Sequence, residues 1–383
     1  MRRFVSGLPG SILLATALAA GAAEIDVMTQ NQYLGADLTP VIAATTPEAF
    51  NTAVVATLAR IAASRPAERV QALAAQIRQR RPDVVGLQEA WRFGCLPYPG
   101  VPNLPGTGCD DPLIRDAFTD QLQGTEAALH GQYRVAGRVT NMRIDQLPIV
   151  VADVPAILQV ADRDAILVRD GLDAVAVDLP SLTGCEASDD GCHYAAVAVI
   201  PTPLGVPIPG WRGFLAVDLA VRGQRYRVFN THLEVRQLAP QPPELRLLQV
   251  AQAGELVQAA LASWQQDPSR RLVVVGDFNA APEDQIPGVP TPYQLLTGQG
   301  FADAWLLHTR AGAGLTCCQA EDLSNARSAH YERIDHVFAL PTPRRVPDMR
   351  VLGTSPGDRT RPAGAGGLWA SDHAAVAARL QYD

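Results

Sequence analysis

The stretch RLVVVGDFNA occupies residues 271–280 and decides how the rest of the chain is interpreted. Its β-branched apolar run predicts a buried strand that stops at Gly276. Side chains two apart on an extended segment point the same way, so Asp277 and Asn279 can face one pocket while Phe278 turns into the core. A carboxylate beside a carboxamide suits a site that holds a metal ion or water and donates a hydrogen bond to an anion. The pattern is equally typical of a strand that ends in an Asx-turn.

The composition is that of a globular protein, with 383 residues of which 47% are hydrophobic and 19% charged. This length allows one large domain or two ordinary ones. We find no internal repeat and no linker wide enough to separate two domains, so we expect a single domain over residues 24–383. The net charge of −7 and the absence of a basic stripe mean that electrostatics alone do not argue for tight nucleic-acid binding.

The first 23 residues have the pattern of a secretory signal peptide. Arg2 and Arg3 precede an apolar run at residues 12–20, and the small residues 21–23 stand before Glu24. A membrane span needs ~20 consecutive apolar residues, which this run does not reach. We therefore expect export to a secreted or periplasmic location. Cleavage before Glu24 would remove both arginines and move the net charge from −7 to −9.

The six cysteines fit an exported protein and fall into three local pairs: Cys95 with Cys109, Cys185 with Cys192, and Cys317 with Cys318. Many connectivities are open to six cysteines, so local pairing is an expectation from proximity. Zinc is the alternative, but no pair has C-x₂-C spacing together with a second matching pair. We expect disulfides that close loops.

Proline and capping residues divide the remaining chain into helices and strands. Helices are expected at residues 47–63, 66–81, 112–130 and about 244–264. One strand is expected to end at Asn31 and another at Glu89. A series of short strands is expected from residue 133 to residue 177, followed by a hairpin at 214–230. Two last strands are expected to end near residue 339 and to begin after residue 373. This alternation is that of an α/β protein with a mixed or antiparallel sheet.

Six further polar residues lie at the boundaries of these separate strands: Asn31, Glu89, His232, Asp335, Asp372 and His373. Each alone has an ordinary explanation, since Asn31 can be a turn residue, Glu89 an exposed or paired carboxylate, and His232 a structural histidine. Together with Asp277 and Asn279 they predict one shared pocket, because strand ends converge on one edge of a sheet.

The residue types in this pocket indicate its chemistry. They offer hard oxygen ligands for an Mg²⁺-like ion, amide donors for an anion and two histidines for proton transfer. The chain has neither a G-x-S-x-G nucleophile elbow nor a Gly-rich phosphate loop. These residue types are the ones that an enzyme needs in order to attack a phosphate ester with water.

In their order along the chain, these segments resemble the endonuclease/exonuclease/phosphatase superfamily. The matching segments are the one around Asn31, LQE at 87–89, NTHL at 230–233, GDFN at 276–279, RIDH at 333–336 and SDH at 371–373. The resemblance implies an α/β (α+β) four-layer sandwich, in which two mixed β-sheets pack face to face with helices outside. It also implies that Glu89 is the main Mg²⁺ ligand, with Asn31 close to the ion and Asp372 near it or in the surrounding shell; Mn²⁺ and Ca²⁺ are alternative ions.

The resemblance also implies catalytic roles for five residues. Asp277 would orient or deprotonate the attacking water, and Asn279 would donate to the phosphate. His373, held in its tautomer by Asp335, would act as the base or bind a phosphate oxygen. His232 would stabilise the charge of the transition state or the leaving group.

Asp164 departs from the pattern, because many members have Asn in the matching segment. A carboxylate repels phosphate unless a metal lies between them, so this residue's phosphate contact is in doubt.

The resemblance implies a metal-dependent phosphoric ester hydrolase. Export together with the Thr-His-Leu motif resembles the sphingomyelinase-like phosphodiesterases, and residues 36–64 and 195–211 could form a lid or a lipid-facing edge rather than ordinary core and surface. The alternatives are an extracellular endonuclease (deoxyribonuclease) and, third, a catalytically inactive binding protein. The expected partner is a phosphate-ester substrate (a lipid headgroup, a small phosphoester or a nucleic acid), with peripheral membrane contact and no stable protein partner.

Overall fold

The computed structural model describes residues 23–102, 104–236, 245–309, 312–360 and 366–383. The expected signal peptide, apart from Ala23, lies outside these ranges. Among the helices within them, none combines the length and the apolar character that crossing a membrane requires.

The strands alternate with loops over the whole described chain. In chain order they are β1 (Ala23–Asn31), β2 (Val84–Gln88), β3 (Arg92–Pro97), β4 (Tyr133–Val151), β5 (Val154–Arg169), β6 (Ala174–Ala176), β7 (Glu186–Ser188), β8 (Gly191–His193), β9 (Ala198–Ile200), β10 (Ile208–Gly210), β11 (Gly213–Val221), β12 (Gln224–His232), β13 (Arg271–Asp277), β14 (Ala302–Asp303), β15 (Asp335–Leu340), β16 (Arg345–Leu352) and β17 (Ala375–Tyr382).

Helices connect these strands, and several of them begin at a residue whose side chain accepts a hydrogen bond from the first turn. They are α1 (Thr39–Ile42), α2 (Pro47–Ala63), α3 (Pro66–Arg80), α4 (Gln121–Ala128), α5 (Leu179–Thr183), α6 (Leu245–Gln266), α7 (Pro292–Gly298) and α8 (Ala304–Leu307). The helices expected at 47–63 and 66–81 are confirmed: the Thr46 side chain caps α2 by accepting from the amide of Ala49, and proline opens both helices.

The helix expected at residues 112–130 is wrong for its first half. Only α4 and a short 3₁₀ turn at Arg115–Ala117 are helical there. The amide of Phe93 donates to the carbonyl of Thr119 at 2.9 Å, so this segment bonds to β3 instead of continuing a helix. The side chain of Asp120 then caps α4.

Two mixed sheets form the centre of the molecule. The first has the order β16-β17-β1-β2-β5-β3, with β4 also paired to β5, and the second has the order β14-β15-β13-β12-β11-β8-β7, with β6 on β11. The β1–β2 and β12–β13 pairs are parallel, whereas β1–β17 and β13–β15 are antiparallel. A separate hairpin is formed by β9 and β10.

The alternation of side chains on β13 shows how the layers pack. Val273 and Val275 lie in the core between the two sheets, together with Ile25 of β1. Leu272 and Val274 face the other way and pack in the cluster that includes α6. Residues of α3 and α4 likewise pack with the outer face of the first sheet. The result is the expected four-layer α/β sandwich, with helices outside two sheets packed face to face.

The cysteines of each expected local pair lie at disulfide distance: Cys95 with Cys109, Cys185 with Cys192, and Cys317 with Cys318. The described part of the chain contains no free cysteine. The first two pairs close loops, as the sequence predicts.

Asn230, the first residue of the NTHL motif, joins the two sheets. Its Nδ2 donates to the carbonyls of Leu87 at 2.9 Å and Ala165 at 3.0 Å, and its Oδ1 accepts from Nε2 of Gln88 at 2.6 Å. A Cβ on Gly86 would lie 2.5 Å from this Oδ1, so only glycine allows so close an approach. Asn230 thereby fixes the second sheet to the end of β2, directly before Glu89.

Asn230→Ala is expected to lower the free energy of unfolding by about 3 kcal/mol, because it leaves several buried polar groups without partners. Urea unfolding followed by circular dichroism measures this loss. Asn51→Ala is the matched control, since Asn51 also exchanges two hydrogen bonds with a backbone, that of Val150, but at an exposed position. Its loss should stay below about 1 kcal/mol. Equal losses in the two variants would contradict the sheet-joining role of Asn230.

Candidate active site

The predicted site residues meet at one edge of the sandwich. Asn31 ends β1, Glu89 follows β2, and in the second sheet His232 ends β12 beside Asp277 at the end of β13. The two parallel pairs bring these carboxyl ends to the same edge. The antiparallel strand β15 places Asp335 opposite Asp277 in register.

Asn31 links the carboxylates of the two sheets. Its Nδ2 donates to Oε1 of Glu89 at 3.1 Å and to Oδ2 of Asp277 at 3.0 Å. Its Oδ1 accepts from the amide of Tyr33 at 2.8 Å, which fixes the orientation of the carboxamide. Asn31 is fully buried, so this link is shielded from bulk water. The expected proximity of Asn31, Glu89 and Asp277 is confirmed.

Glu89 is half-buried and held on both oxygens. It has a left-handed backbone conformation, with φ 53°, which is unusual for a residue with a long side chain. Its Oε2 accepts from the amide of Leu34 at 2.9 Å and from Nε1 of Trp91 at 3.3 Å. Together with Asn31 on Oε1, these donors hold the carboxyl group in one position.

Asp277 and Asn279 are oriented by the turn that follows β13. Asn279 also has a left-handed conformation, with φ 47°, which asparagine tolerates better than most residues. Its amide donates to Oδ1 of Asp277 at 2.8 Å, and its Nδ2 donates to the carbonyl of Leu233 at 3.0 Å. This is an Asx-turn. The GDFN segment is therefore both a strand that ends in a turn and part of the pocket, because the turn orients Asp277 and Asn279.

His232 is a buried, neutral histidine. Nη1 of Arg212 lies 3.0 Å from its Nδ1, and since a guanidinium only donates, Nδ1 accepts and Nε2 carries the hydrogen. This Nε2–H faces Oδ2 of Asp277 at 3.5 Å, whereas Nδ2 of Asn279, 3.1 Å away, is itself a donor and donates instead to the carbonyl of Leu233. Burial first, then Arg212 and His373, hold the pKa of His232 well below its ordinary value.

His373, unlike His232, is protonated. Its Nδ1 donates to Oδ2 of Asp335 at 2.9 Å, and its Nε2 lies 3.7 Å from Oδ2 of Asp277. Burial by itself lowers the pKa of His373, but the carboxylates of Asp335, Asp277 and Asp372 outweigh it and raise the pKa well above the ordinary value. His373 is therefore an imidazolium that can donate from Nε2. The expected contact between Asp335 and His373 is confirmed, whereas their catalytic roles stay predictions.

The carboxylates of the pocket fit a hard divalent cation. Burial, and after it the opposing effects of His373 and nearby carboxylates, leaves the pKa of Asp277 raised to about 7. Burial likewise raises the pKa of Asp372 to about 6, with Glu89 among the neighbours that raise it. The pocket thus brings together buried carboxylates, which supply the oxygen donors that Mg²⁺ prefers. The predicted ligands Glu89 and Asp372 offer carboxylate oxygens to such an ion. Asn31 does not, because its Nδ2 faces Glu89 and Asp277 while its Oδ1 accepts from the amide of Tyr33, so its expected place as a ligand is not what this orientation presents.

Arg212 is a site residue that sequence reasoning missed. Besides contacting His232, its Nη2 donates to Oε1 of Glu234 at 3.4 Å, and Nη1 lies 3.7 Å from Oδ2 of Asp162. A single arginine after an apolar segment belongs to none of the quoted motifs. The available signal was its position as the cation that directly follows residues 195–211.

Asp164, which departs from the expected asparagine, is fully buried. Its Oδ2 accepts from Nδ2 of Asn141 at 2.9 Å. Burial, and next the neighbouring carboxylate of Asp162, raises the pKa of Asp164 well above its ordinary value. The environment therefore opposes a negative charge at this position, which lessens the expected repulsion of a phosphate.

Comparison with known proteins places this site in a family. The chain has the fold of an endonuclease/exonuclease/phosphatase family protein from Bacteroides thetaiotaomicron, with 18% identity, 94% of this chain and 99% of that chain covered, and a TM-score of 0.50. Truncated Caenorhabditis elegans TDP2 (16% identity, 94% and 97% covered, TM-score 0.49) and a Bacteroides thetaiotaomicron mannosyl-6-phosphatase (17%, 92% and 98%, 0.49) are also similar. No curated protein matches the sequence.

The model of the Endonuclease/Exonuclease/phosphatase family matches residues 49–373. This range includes every predicted site residue except Asn31. The chain therefore belongs to the endonuclease/exonuclease/phosphatase family and has the fold of its phosphoesterases and nucleases.

Proposed function

We propose that the protein is an exported, Mg²⁺-dependent phosphodiesterase of the sphingomyelinase-like kind. The observation that carries this proposal is the link made by Asn31 between Glu89 of the first sheet and Asp277 of the second, opposite the pair of His373 and Asp335. This arrangement combines, within one pocket, a site for a cation, a proton acceptor and hydrogen-bond donors for an anion. Export is supported by the pattern of residues 1–23.

The residues divide the work of hydrolysis between them. A bound divalent cation would neutralise charge on the phosphate and polarise it, and Glu89 and Asp372 would hold that cation, with Asn31 keeping the carboxylate of Glu89 in position. Asp277 accepts a proton from water while the water oxygen bonds to phosphorus. The bond from phosphorus to the alcohol oxygen then breaks, and the alkoxide takes a proton from solvent.

The two histidines act on the phosphate rather than on the water. His373 already carries a proton between Asp335 and Asp277, so it donates from Nε2 to a phosphate oxygen. His232 is neutral and presents Nε2–H beside Asn279, which suits a donor to the developing charge. This assigns the base to Asp277 and leaves anion binding to the histidines.

A substrate panel tests the proposal: sphingomyelin, phosphatidylcholine, an inositol phosphate, plasmid DNA and RNA, each with Mg²⁺ and with EDTA. We expect release of phosphocholine from sphingomyelin with Mg²⁺, a loss of at least about 100-fold with EDTA, and recovery when Mg²⁺ is added in excess. Cleavage of DNA or RNA alone would replace the phosphodiesterase with the nuclease alternative. Intact substrates throughout would overturn both and leave a binding protein.

A further inference from the structure

An apolar cavity of about 110 Å³ lies beside the active site. It is lined by α1, α2, β3, β4, β5 and the β9–β10 hairpin, and in the described part of the chain none of its lining residues is charged. Thr57 and Thr202 supply its only hydroxyl groups. The cavity is therefore suited to hydrocarbon and offers nothing to a phosphate or a nucleic-acid backbone.

The two segments that the sequence singles out as a lid or lipid-facing edge both line this cavity. Residues 36–64 contribute Val41 and Leu58, and residues 195–211 contribute Ile200 and Ile208 from the hairpin. Two segments that are far apart in the chain therefore enclose the same apolar space.

Trp91 is the wall that the cavity shares with the active site. Its indole Nε1 donates to Oε2 of Glu89 at 3.3 Å, while its side chain also lines the cavity. Phe93, another lining residue, stacks on it with ring centroids 5.8 Å apart. The apolar space therefore begins one side chain away from the carboxylate of Glu89.

The direction of the reaction determines which part of a substrate enters. Asp277 ends β13 of the second sheet, with Asn279 in the turn that follows, whereas Glu89 and Trp91 lie in the connection between β2 and β3 of the first sheet. In phosphoryl transfer the attacking and leaving oxygens are roughly in line, on opposite sides of phosphorus. With water held at Asp277, in-line attack would direct the leaving oxygen away from β13, towards the connection that carries Glu89 and Trp91.

We propose that this cavity binds the alkyl chain of the substrate's leaving alcohol, so that the substrate is a phosphodiester of a chain-bearing, lipid-like alcohol. The inference rests on the proposed function. An apolar cavity of about 150 Å³ binds benzene, which has six carbons. By the same measure, the cavity of about 110 Å³ in this protein holds roughly four carbons.

Chain length tests the inference on soluble substrates. Methyl-, butyl- and hexylphosphocholine differ only in the leaving alcohol, and release of phosphocholine gives kcat/KM for each below micelle-forming concentrations. Each buried methylene strengthens binding by up to about fourfold. We expect kcat/KM to rise at least about tenfold from methyl to butyl and to level off towards hexyl; equal values would overturn the inference.

Filling the cavity should remove this preference. Val41→Phe, on the short helix α1, is expected to abolish the gain from methyl to butyl, so that this variant has the same kcat/KM for both esters. Val175→Phe is the matched control, because Val175 is 70% exposed on β6 of the other sheet, and it should keep the full gain. A retained gain in Val41→Phe would contradict occupation of the cavity by the chain.

Binding without turnover separates this inference from the proposed function. Calorimetry on the full-length mature protein compares butyl phosphate with methyl phosphate, and we expect about tenfold tighter binding of the butyl compound. If no phosphocholine ester is hydrolysed but this difference is found, the proposed function fails and the apolar subsite stands. Equal affinities would overturn the subsite whatever the activity.

Discussion

Glu89→Gln is expected to lower kcat/KM for phosphoester hydrolysis by about 1000-fold or more, since it removes the negative charge of the main predicted cation ligand. The amide would also turn an NH₂ group towards Asn31, Leu34 or Trp91, all of which are donors to this side chain. Two measurements check this expectation. Steady-state kinetics at saturating Mg²⁺ gives the loss of activity, and calorimetry with Mn²⁺ should show at least about tenfold weaker binding.

Glu321→Gln is the matched control for this change. Glu321 is paired with Arg60 at 2.8 Å and its side chain is 47% exposed, so the same chemical change is made outside the pocket. Its kcat/KM should stay within about twofold of the unaltered protein, because exposed ion pairs contribute little. Unchanged turnover or unchanged Mn²⁺ affinity in Glu89→Gln would contradict the role of Glu89 as a ligand.

Much of the site could be predicted because its residues lie at strand ends, where local sequence is informative. The run VVV before Gly276 predicts β13 and the position of Asp277 with no tertiary information. The same holds for Glu89 after β2. These strands are buried on both faces, so their apolar runs and abrupt polar ends mark where each strand stops, although the chemistry of each polar end had more than one explanation.

Other features depend on contacts between distant segments, which local pattern does not encode. Arg212 becomes a site residue only because β11 and β12 place it beside His232. Asn230 has the appearance of a motif residue, yet its partners lie on β2 and β5 and its role is to join sheets. The helix expected from residue 112 failed for the same reason, since bonding of residues 119–120 to β3 overrides helix propensity.

Asp277→Asn is expected to lower kcat by about 100- to 10,000-fold, because an amide cannot accept the proton of the attacking water. The amide can keep its carbonyl towards the backbone of Asn279, which donates to Oδ1, so the turn after β13 should form. Its NH₂ group would then face Nδ2 of Asn31, which donates to Oδ2. The fold is checked by circular dichroism and thermal melting, and Mn²⁺ binding by calorimetry.

The pH profile distinguishes a base from a residue that only positions its neighbours. Asp277 must be deprotonated to act, so the rate should rise with pH through its pKa and fall below it. Burial raises this pKa to about 7 in the cation-free protein, and a bound cation would lower it, so the acid limb should lie at or below pH 7. The residual activity of Asp277→Asn should lack that limb.

Asp284→Asn, which alters a carboxylate paired with Arg236 in the loop that follows, should retain both the limb and the rate. If the limb persisted in Asp277→Asn, the base would have to be another group, and the contact of His373 with Asp277 would make His373 the next to test.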